Sequence, residues 1–164
     1  SQRWEVECDS HGATTIWERW DGWTPEKGFQ DPGMNSFNHY SLGSCGEYLF
    51  GGIGGINPGS PGYKTILIQP IIRNGLTWAK VSYDSIHGKI ATAWKQSGNH
   101  LTLEVVVPVN TTATICVPTK DSASVMEGGK PVNQAEGVKF LRQENGTVEF
   151  EVGSGTYRFA SETK

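Results

Sequence analysis

Two carboxylates set among three indoles mark the opening stretch of this chain: Glu18 and Asp21 lie within Trp17-Glu18-Arg19-Trp20-Asp21-Gly22-Trp23. Indole faces stack on the apolar faces of sugar rings, while carboxylates and amides bind the hydroxyls. A carboxylate enclosed by tryptophan has its charged form disfavoured by desolvation, which moves its pKa toward useful proton transfer. The plainer reading is that Trp17 and Trp20, three apart, pack a core and that Glu18 pairs with Arg19 or with solvent. A second polar and aromatic group, Asn35-Ser36-Phe37-Asn38-His39-Tyr40, adds His39, a donor for a sugar hydroxyl or for Glu18, or a brace at a helix start.

Other chemistries find no footing. His11, His87 and His100 have no partner at ligand or triad spacing. Gly51-Gly52-Ile53-Gly54-Gly55 ends an expected helix, whereas a phosphate-binding loop opens one after a strand. No metal site and no cofactor are expected. Cys8, Cys45 and Cys116 cannot pair completely, so reduced, mostly buried thiols are expected.

The 164 residues carry 14 Lys+Arg against 17 Asp+Glu, a net charge of −3. That mild acidity argues against a nucleic-acid partner, whose phosphates attract basic patches. No apolar run approaches the roughly 20 residues of a membrane span. Ser1 to Glu7 is polar and acidic, so no secretory signal is visible in the chain. Cytoplasmic and secreted locations both stay open, because a signal would lie upstream of a fragment.

The elements that must position these residues fall into two unlike parts. Residues 1–60 hold 3 basic and 8 acidic side chains and four of the 6 Trp, whereas 61–164 hold 11 basic and 9 acidic. The run Gly54 to Gly62, rich in Gly and Pro, predicts a linker free of helix and strand. Downstream, eight short strands are expected: Thr65–Gln69, Leu76–Tyr83, His87–Gln96, Leu101–Val107, Thr112–Val117, Val138–Arg142, Val148–Val152 and Thr156–Ala160. Asn145-Gly146 between two of them is a hairpin signal, since both residues accept positive φ. The result is a mostly β chain whose C-terminal portion is an antiparallel sandwich or barrel. Its expected core is Leu67, Trp78, Ile90, Trp94, Leu103, Val105, Ile115, Phe140, Phe150 and Tyr157. Upstream, Asn35 to Ile53 predicts the one long helix, capped by Ser36. Such a helix needs neighbours, so Trp17, Trp20, Phe37, Tyr40 and Leu49 should be covered by the sandwich or by another chain.

Gly12-Ala13-Thr14-Thr15-Ile16-Trp17-Glu18-Arg19-Trp20-Asp21-Gly22 and Asn35-Ser36-Phe37-Asn38-His39-Tyr40-Ser41-Leu42-Gly43-Ser44 resemble the closing segments of bacterial-type α-L-rhamnosidases, glycoside hydrolase family seventy-eight. The likeness continues through Pro61-Gly62-Tyr63-Lys64, Ile68-Gln69-Pro70, Leu76-Thr77-Trp78-Ala79-Lys80, Tyr83-Asp84-Ser85 and Pro108-Val109-Asn110-Thr111-Thr112-Ala113. The resemblance implies an inverting glycosidase with an (α/α)6-barrel catalytic domain followed by a small β-sandwich. Residues 1–60 would then be the incomplete end of the barrel, a short helical remnant, and 61–164 the sandwich. Glu18 matches the family's general base, and His39 matches a residue that contacts the rhamnose. Trp20 and Asp21 match positions beside the base and are candidate sugar contacts. The general acid lies upstream in the family, so the chain would act on rhamnose-containing glycosides only with the missing catalytic portion or a second chain, and would be inactive alone. The competing reading is a non-catalytic carbohydrate-binding or structural β-sandwich module.

Overall fold

The computed structural model describes residues 12–19, 21–72 and 75–163. Trp4, Cys8, His11, Trp20 and Asn74, and the side chain of Leu42, lie outside the described residues. The chain divides into two compact units, Ser1–Gly46 and Glu47–Lys164.

In the first unit, a two-stranded ribbon pairs β1 (Trp23–Thr24) with β2 (Gly28–Phe29). The expected helix from Asn35 is shorter than the periodicity suggests. Its first turn is a 3₁₀ turn, Tyr40–Ser44, followed by one α-turn, Cys45–Glu47, and a π-helical stretch, Tyr48–Ile53, that belongs to the second unit. Ser36 does not cap it. The backbone of 36–39 is already committed to extended pairing with 16–18, where Glu18 N–H donates to Ser36 O at 2.8 Å and His39 N–H to Ile16 O at 2.8 Å. His39 is therefore still extended, with φ −89° and ψ 103°, and the helix starts after it. Tyr40 is 87% exposed and Leu49 49% exposed, whereas Trp17 and Phe37 are half-buried.

The second unit is a sandwich. One sheet has six strands in the order β10 (Lys130–Pro131), β9 (Met126–Glu127), β13 (Gly155–Glu162), β7 (His100–Val107), β6 (Gly88–Ser97), β5 (Trp78–Ser85). The other has five: β11 (Val138–Glu144), β12 (Thr147–Val152), β8 (Thr112–Pro118), β4 (Thr65–Ile68), β3 (Ile56–Pro58). All eight strands expected from period-two patterning are present. Pairing is antiparallel except between β4 and β8, which run parallel with Thr65 opposite Thr112 and Ile68 opposite Ile115. Asn145 and Gly146 join β11 to β12 with φ of 50° and 75°, the twist a two-residue hairpin needs.

Alternating side chains of the two sheets meet in one core, which includes Ile66, Ile68, Ile90, Trp94, Leu103, Val105, Ile115, Val148, Phe150 and Phe159. Phe150 and Phe159 stack across the sheets with ring centroids 5.6 Å apart. Three expected core residues are placed otherwise. In β4 the polar, exposed Thr65 and, just beyond the strand, Gln69 share the face of Leu67, so Ile66 and Ile68 face inward instead of Leu67. Trp78 is 65% exposed, because edge strand β5 turns Ala79 and Val81 to the core and pairs Trp78 with Lys95. Phe140 is 53% exposed beside a bulge that shifts the register between Phe140 and Arg142. Tyr157 is partly buried against the core. Cys116 is buried as expected, whereas Cys45 is exposed.

The expected linker is instead a packed seam. Ile56–Pro58 forms strand β3, antiparallel to β4, and Gly54, Gly55 and Ile56 are buried. Gln69 N–H donates to Gly55 O and Ile71 N–H to Gly52 O, both at 2.8 Å. The Trp94 indole donates to Ile53 O at 2.8 Å, and the Thr92 hydroxyl to Gly54 O at 2.7 Å. Glycine and proline here do not loosen the chain. They allow backbone to lie directly on backbone: Gly55 has φ +72°, and a Cβ on it would sit 2.2 Å from Pro70 N.

Gly55→Ala is therefore expected to destabilise the sandwich by about 2 kcal/mol or more, combining a strained φ with overpacking. Urea unfolding measures it, and an unchanged midpoint would contradict the packed seam. A second expectation concerns alkaline pH. Burial, with Glu149 close by, pushes the Cys116 thiol from 9.0 up to about 11. The unfolded chain thus loses this proton first, and stability falls as pH rises from about 9 to 11. Unfolding midpoints across that interval should drop more steeply for the wild type than for Cys116→Ser; parallel curves would show that the thiol is not the cause.

Candidate active site

The paired segments 16–18 and 36–39 carry both the carboxylate and the imidazole. Glu18 Oε2 accepts a hydrogen bond from Ser36 N–H at 3.0 Å. With the Glu18 N–H bond to Ser36 O, this ties backbone and side chain of one residue to the same partner. Among the described residues, Glu18 Oε1 accepts no hydrogen bond. The two side chains at the centre are about one-quarter exposed, Glu18 at 26% and His39 at 27%. His39 Nδ1 stands 3.8 Å from Glu18 Oε2, beyond hydrogen-bonding reach. The imidazole thus borders the carboxylate without hydrogen-bonding to it.

Aromatic rings support the pair from behind. Trp17 packs edge-on against Phe37 at 4.9 Å, and Phe29 against Phe37 at 5.5 Å. His39 stacks on Tyr40 at 5.9 Å. The Thr15 hydroxyl donates to Phe37 O. These contacts pack the chain neighbours of Glu18 and Ser36, Trp17 and Phe37, against each other. Trp17 therefore packs, as the plainer reading held, but Glu18 does not pair with its neighbour. Arg19 turns instead to Asp21, with Nε 3.2 Å from Oδ1 and Nη2 3.3 Å from Oδ2. This bidentate pair is exposed, Asp21 at 61%. Trp20 lies outside the described residues.

The loop between the segments is closed by Asn35. Its Nδ2 donates to Gly22 O at 2.7 Å and to Gln30 O at 3.4 Å, while Gln30 N–H donates to Gly22 O at 2.9 Å. Neither Asn35 nor the Ser36 amide is among the candidates that sequence reasoning supplies. The Ser36 amide is a backbone donor, and a main-chain group leaves no trace in residue type. Asn35 stands in the sequence only as the start of the expected helix, whose cap is assigned to Ser36.

Cavities of about 380, 480 and 500 Å³ lie on the sandwich. They are lined by sheet-edge and turn residues such as Lys139, Arg158 and Phe140, and none includes Glu18 or His39.

This arrangement can be set beside known proteins. The family model of the bacterial α-L-rhamnosidase 6-hairpin glycosidase domain matches residues 2–53, and that of the bacterial α-L-rhamnosidase C-terminal domain matches residues 55–131. An α-L-rhamnosidase of Streptomyces avermitilis is 43% identical over 148 residues, covering 90% of this chain and 14% of that protein. One from Formosa agariphila is 39% identical over 150 residues, covering 92% of this chain and 16% of that protein. The crystal structure of the Streptomyces avermitilis α-L-rhamnosidase complexed with L-rhamnose superposes with a TM-score of 0.74 at 40% identity, over 94% of this chain and 14% of that one. The α-L-rhamnosidase from Dictyoglumus thermophilum gives a TM-score of 0.71 at 31% identity, over 94% and 17%. The chain thus spans about one-seventh of the length of these relatives. The two domain models meet at Gly54, inside the seam that the Trp94 and Thr92 side chains hold. The chain belongs to the bacterial α-L-rhamnosidase family and runs from its 6-hairpin glycosidase domain into its C-terminal domain.

Proposed function

We propose that this chain is the closing part of an inverting α-L-rhamnosidase, with Glu18 as general base, acting on terminal α-L-rhamnosides together with an upstream portion of the catalytic barrel. The observation that carries this reading is a carboxylate fixed by the main chain beside an imidazole: Ser36 N–H holds Glu18 Oε2 at 3.0 Å, and His39 Nδ1 stands 3.8 Å from the same oxygen. A base must be held in place yet keep an unshared lone pair for water. In the reaction the water oxygen bonds to the anomeric carbon, the glycosidic C–O bond breaks, and Glu18 Oε1 takes the proton that the water gives up. The leaving oxygen is protonated by a general acid from the upstream portion.

His39, beside the carboxylate but not bonded to it, keeps its ring nitrogens for a rhamnose hydroxyl. Asp21 and Trp20 flank the base in sequence and are assigned to the rim of the sugar site. With its carboxylate engaged by Arg19, Asp21 is the weaker contact. Tyr40 and Leu49, exposed in this chain, are assigned to the interface with the upstream barrel helices, and the sandwich is the accessory domain against which the barrel ends.

In the complete enzyme, Glu18→Gln should lower kcat by about 10²–10⁴-fold with KM changed only a few-fold, because the amide keeps the shape but takes no proton. His39→Ala should act chiefly on KM. Steady-state kinetics on an aryl α-L-rhamnoside separate the two, and a near-normal kcat for Glu18→Gln would move the base elsewhere. The isolated 164-residue chain should release no aryl group above a Glu18→Gln control. Turnover by it would contradict the need for an upstream acid.

A further inference from the structure

The side chain with the least conventional bonding in the first unit is Asn35. Its amide nitrogen reaches two carbonyls, Gly22 O and Gln30 O. Its oxygen, Oδ1, is fully buried and has no hydrogen-bond partner among the described residues. Rotating the amide would not help, because it would set Oδ1 against the two carbonyl oxygens that the nitrogen now binds. A buried carbonyl oxygen left unpaired is costly, so the amide is held where it is by what its nitrogen does. The space opposite is equally constrained. Gly22 is buried, and a Cβ on it would stand 2.6 Å from Asn35 Oδ1.

We propose that Asn35 is a positioning residue for Glu18, closing a ring of contacts that holds the Ser36 amide on the carboxylate. The ring runs through named atoms. Glu18 is bonded at its N–H and at Oε2 to Ser36. Gly22 N–H donates to Arg19 O at 3.2 Å, turning the chain back immediately after Glu18. The Asn35 amide then ties Gly22 to the residue that precedes Ser36. Both ends of the Glu18 segment are thus fastened to the same two residues, 35 and 36. Without the amide one fastening opens, and Ser36, still bonded through its carbonyl to the Glu18 N–H, holds Oε2 less firmly. No hydrogen bond joins Asn35 to Glu18 among the described residues, so its effect is indirect.

The proposal rests on the reading of Glu18 as general base, and the test separates the two. In the complete enzyme, kcat and KM are measured on 4-nitrophenyl α-L-rhamnoside for Asn35→Ala, Gly22→Ala, Glu18→Gln and the double variant Asn35→Ala/Glu18→Gln, with rhamnose binding by calorimetry as a check on folding. Asn35→Ala should lower kcat by about tenfold or more with KM within about threefold, since small misplacements of a catalytic group carry costs of that order. Gly22→Ala, which displaces the amide without removing it, should do the same. In the Glu18→Gln background, removal of Asn35 should leave the residual rate within about twofold, because a positioning residue has nothing left to position. An unchanged kcat in Asn35→Ala overturns the proposal. So does a double variant that loses a further tenfold, or a loss of rhamnose binding in Asn35→Ala, since either would mean that the residue maintains the fold and not the base. Failure of the base reading appears separately, as near-normal kcat in Glu18→Gln alone.

Discussion

The candidate site depends on one short piece of extended pairing. Residues 16–18 and 36–39 exchange two backbone hydrogen bonds of 2.8 Å, and the first of them has Glu18 as donor. Because Ser36 gives its carbonyl to the Glu18 backbone and its amide to the Glu18 carboxylate, main chain and side chain of the proposed base share one anchor. The same pairing consumes the backbone of 36–39 and delays the helix until Tyr40. It also leaves His39 extended, with its ring 3.8 Å from the carboxylate instead of turned into a helix. A helix begun at Ser36 would have turned that amide toward its own axis and left Glu18 unsupported.

The junction between the two family domains follows a different rule. A domain boundary is usually exposed and polar, yet here the residues around Gly54 and Gly55 are buried, and they accept side-chain hydrogen bonds from the sheet interior. Thr92 and Trp94 are inward-facing residues of β6 whose polar atoms would otherwise be buried unpaired. The carbonyls of Gly54 and Ile53 satisfy them. Ile53, the last residue matched to the glycosidase domain, and Gly54, between the two matches, thus supply the carbonyls that satisfy polar groups in the core of the next domain.

How much of this was legible in the sequence varies with the physics involved. The sandwich strands were, because alternation at a buried face records itself in residue type: Ile90, Thr92 and Trp94, or Leu101, Leu103 and Val105, are read directly. In Thr65–Ile68 the apolar centre is only three residues long, and the outer face that Leu67 shares is marked only by Thr65 and the following Gln69. The Gly54–Gly62 segment was misread because glycine and proline signal either a loop or a close backbone approach, and only the position of Pro70 decides between them. At the site, the acidic and aromatic residues announced themselves, whereas the groups that hold them did not. The Ser36 amide is invisible in principle, and Asn35 becomes distinctive only once Gly22 O and Gln30 O are brought to it.

The central claim concerns the side of the sugar on which Glu18 stands, and the crystal structure of the complete enzyme with rhamnose tests it most directly. The account predicts that Ser36 N–H still holds Glu18 Oε2. Oε1 should bind a water lying on the face of the anomeric carbon opposite the leaving group, with the carboxylate of the general acid about 6.5–9.5 Å away across the ring. A Glu18 carboxylate turned away from the sugar, or one bonded to the leaving oxygen itself, would contradict it.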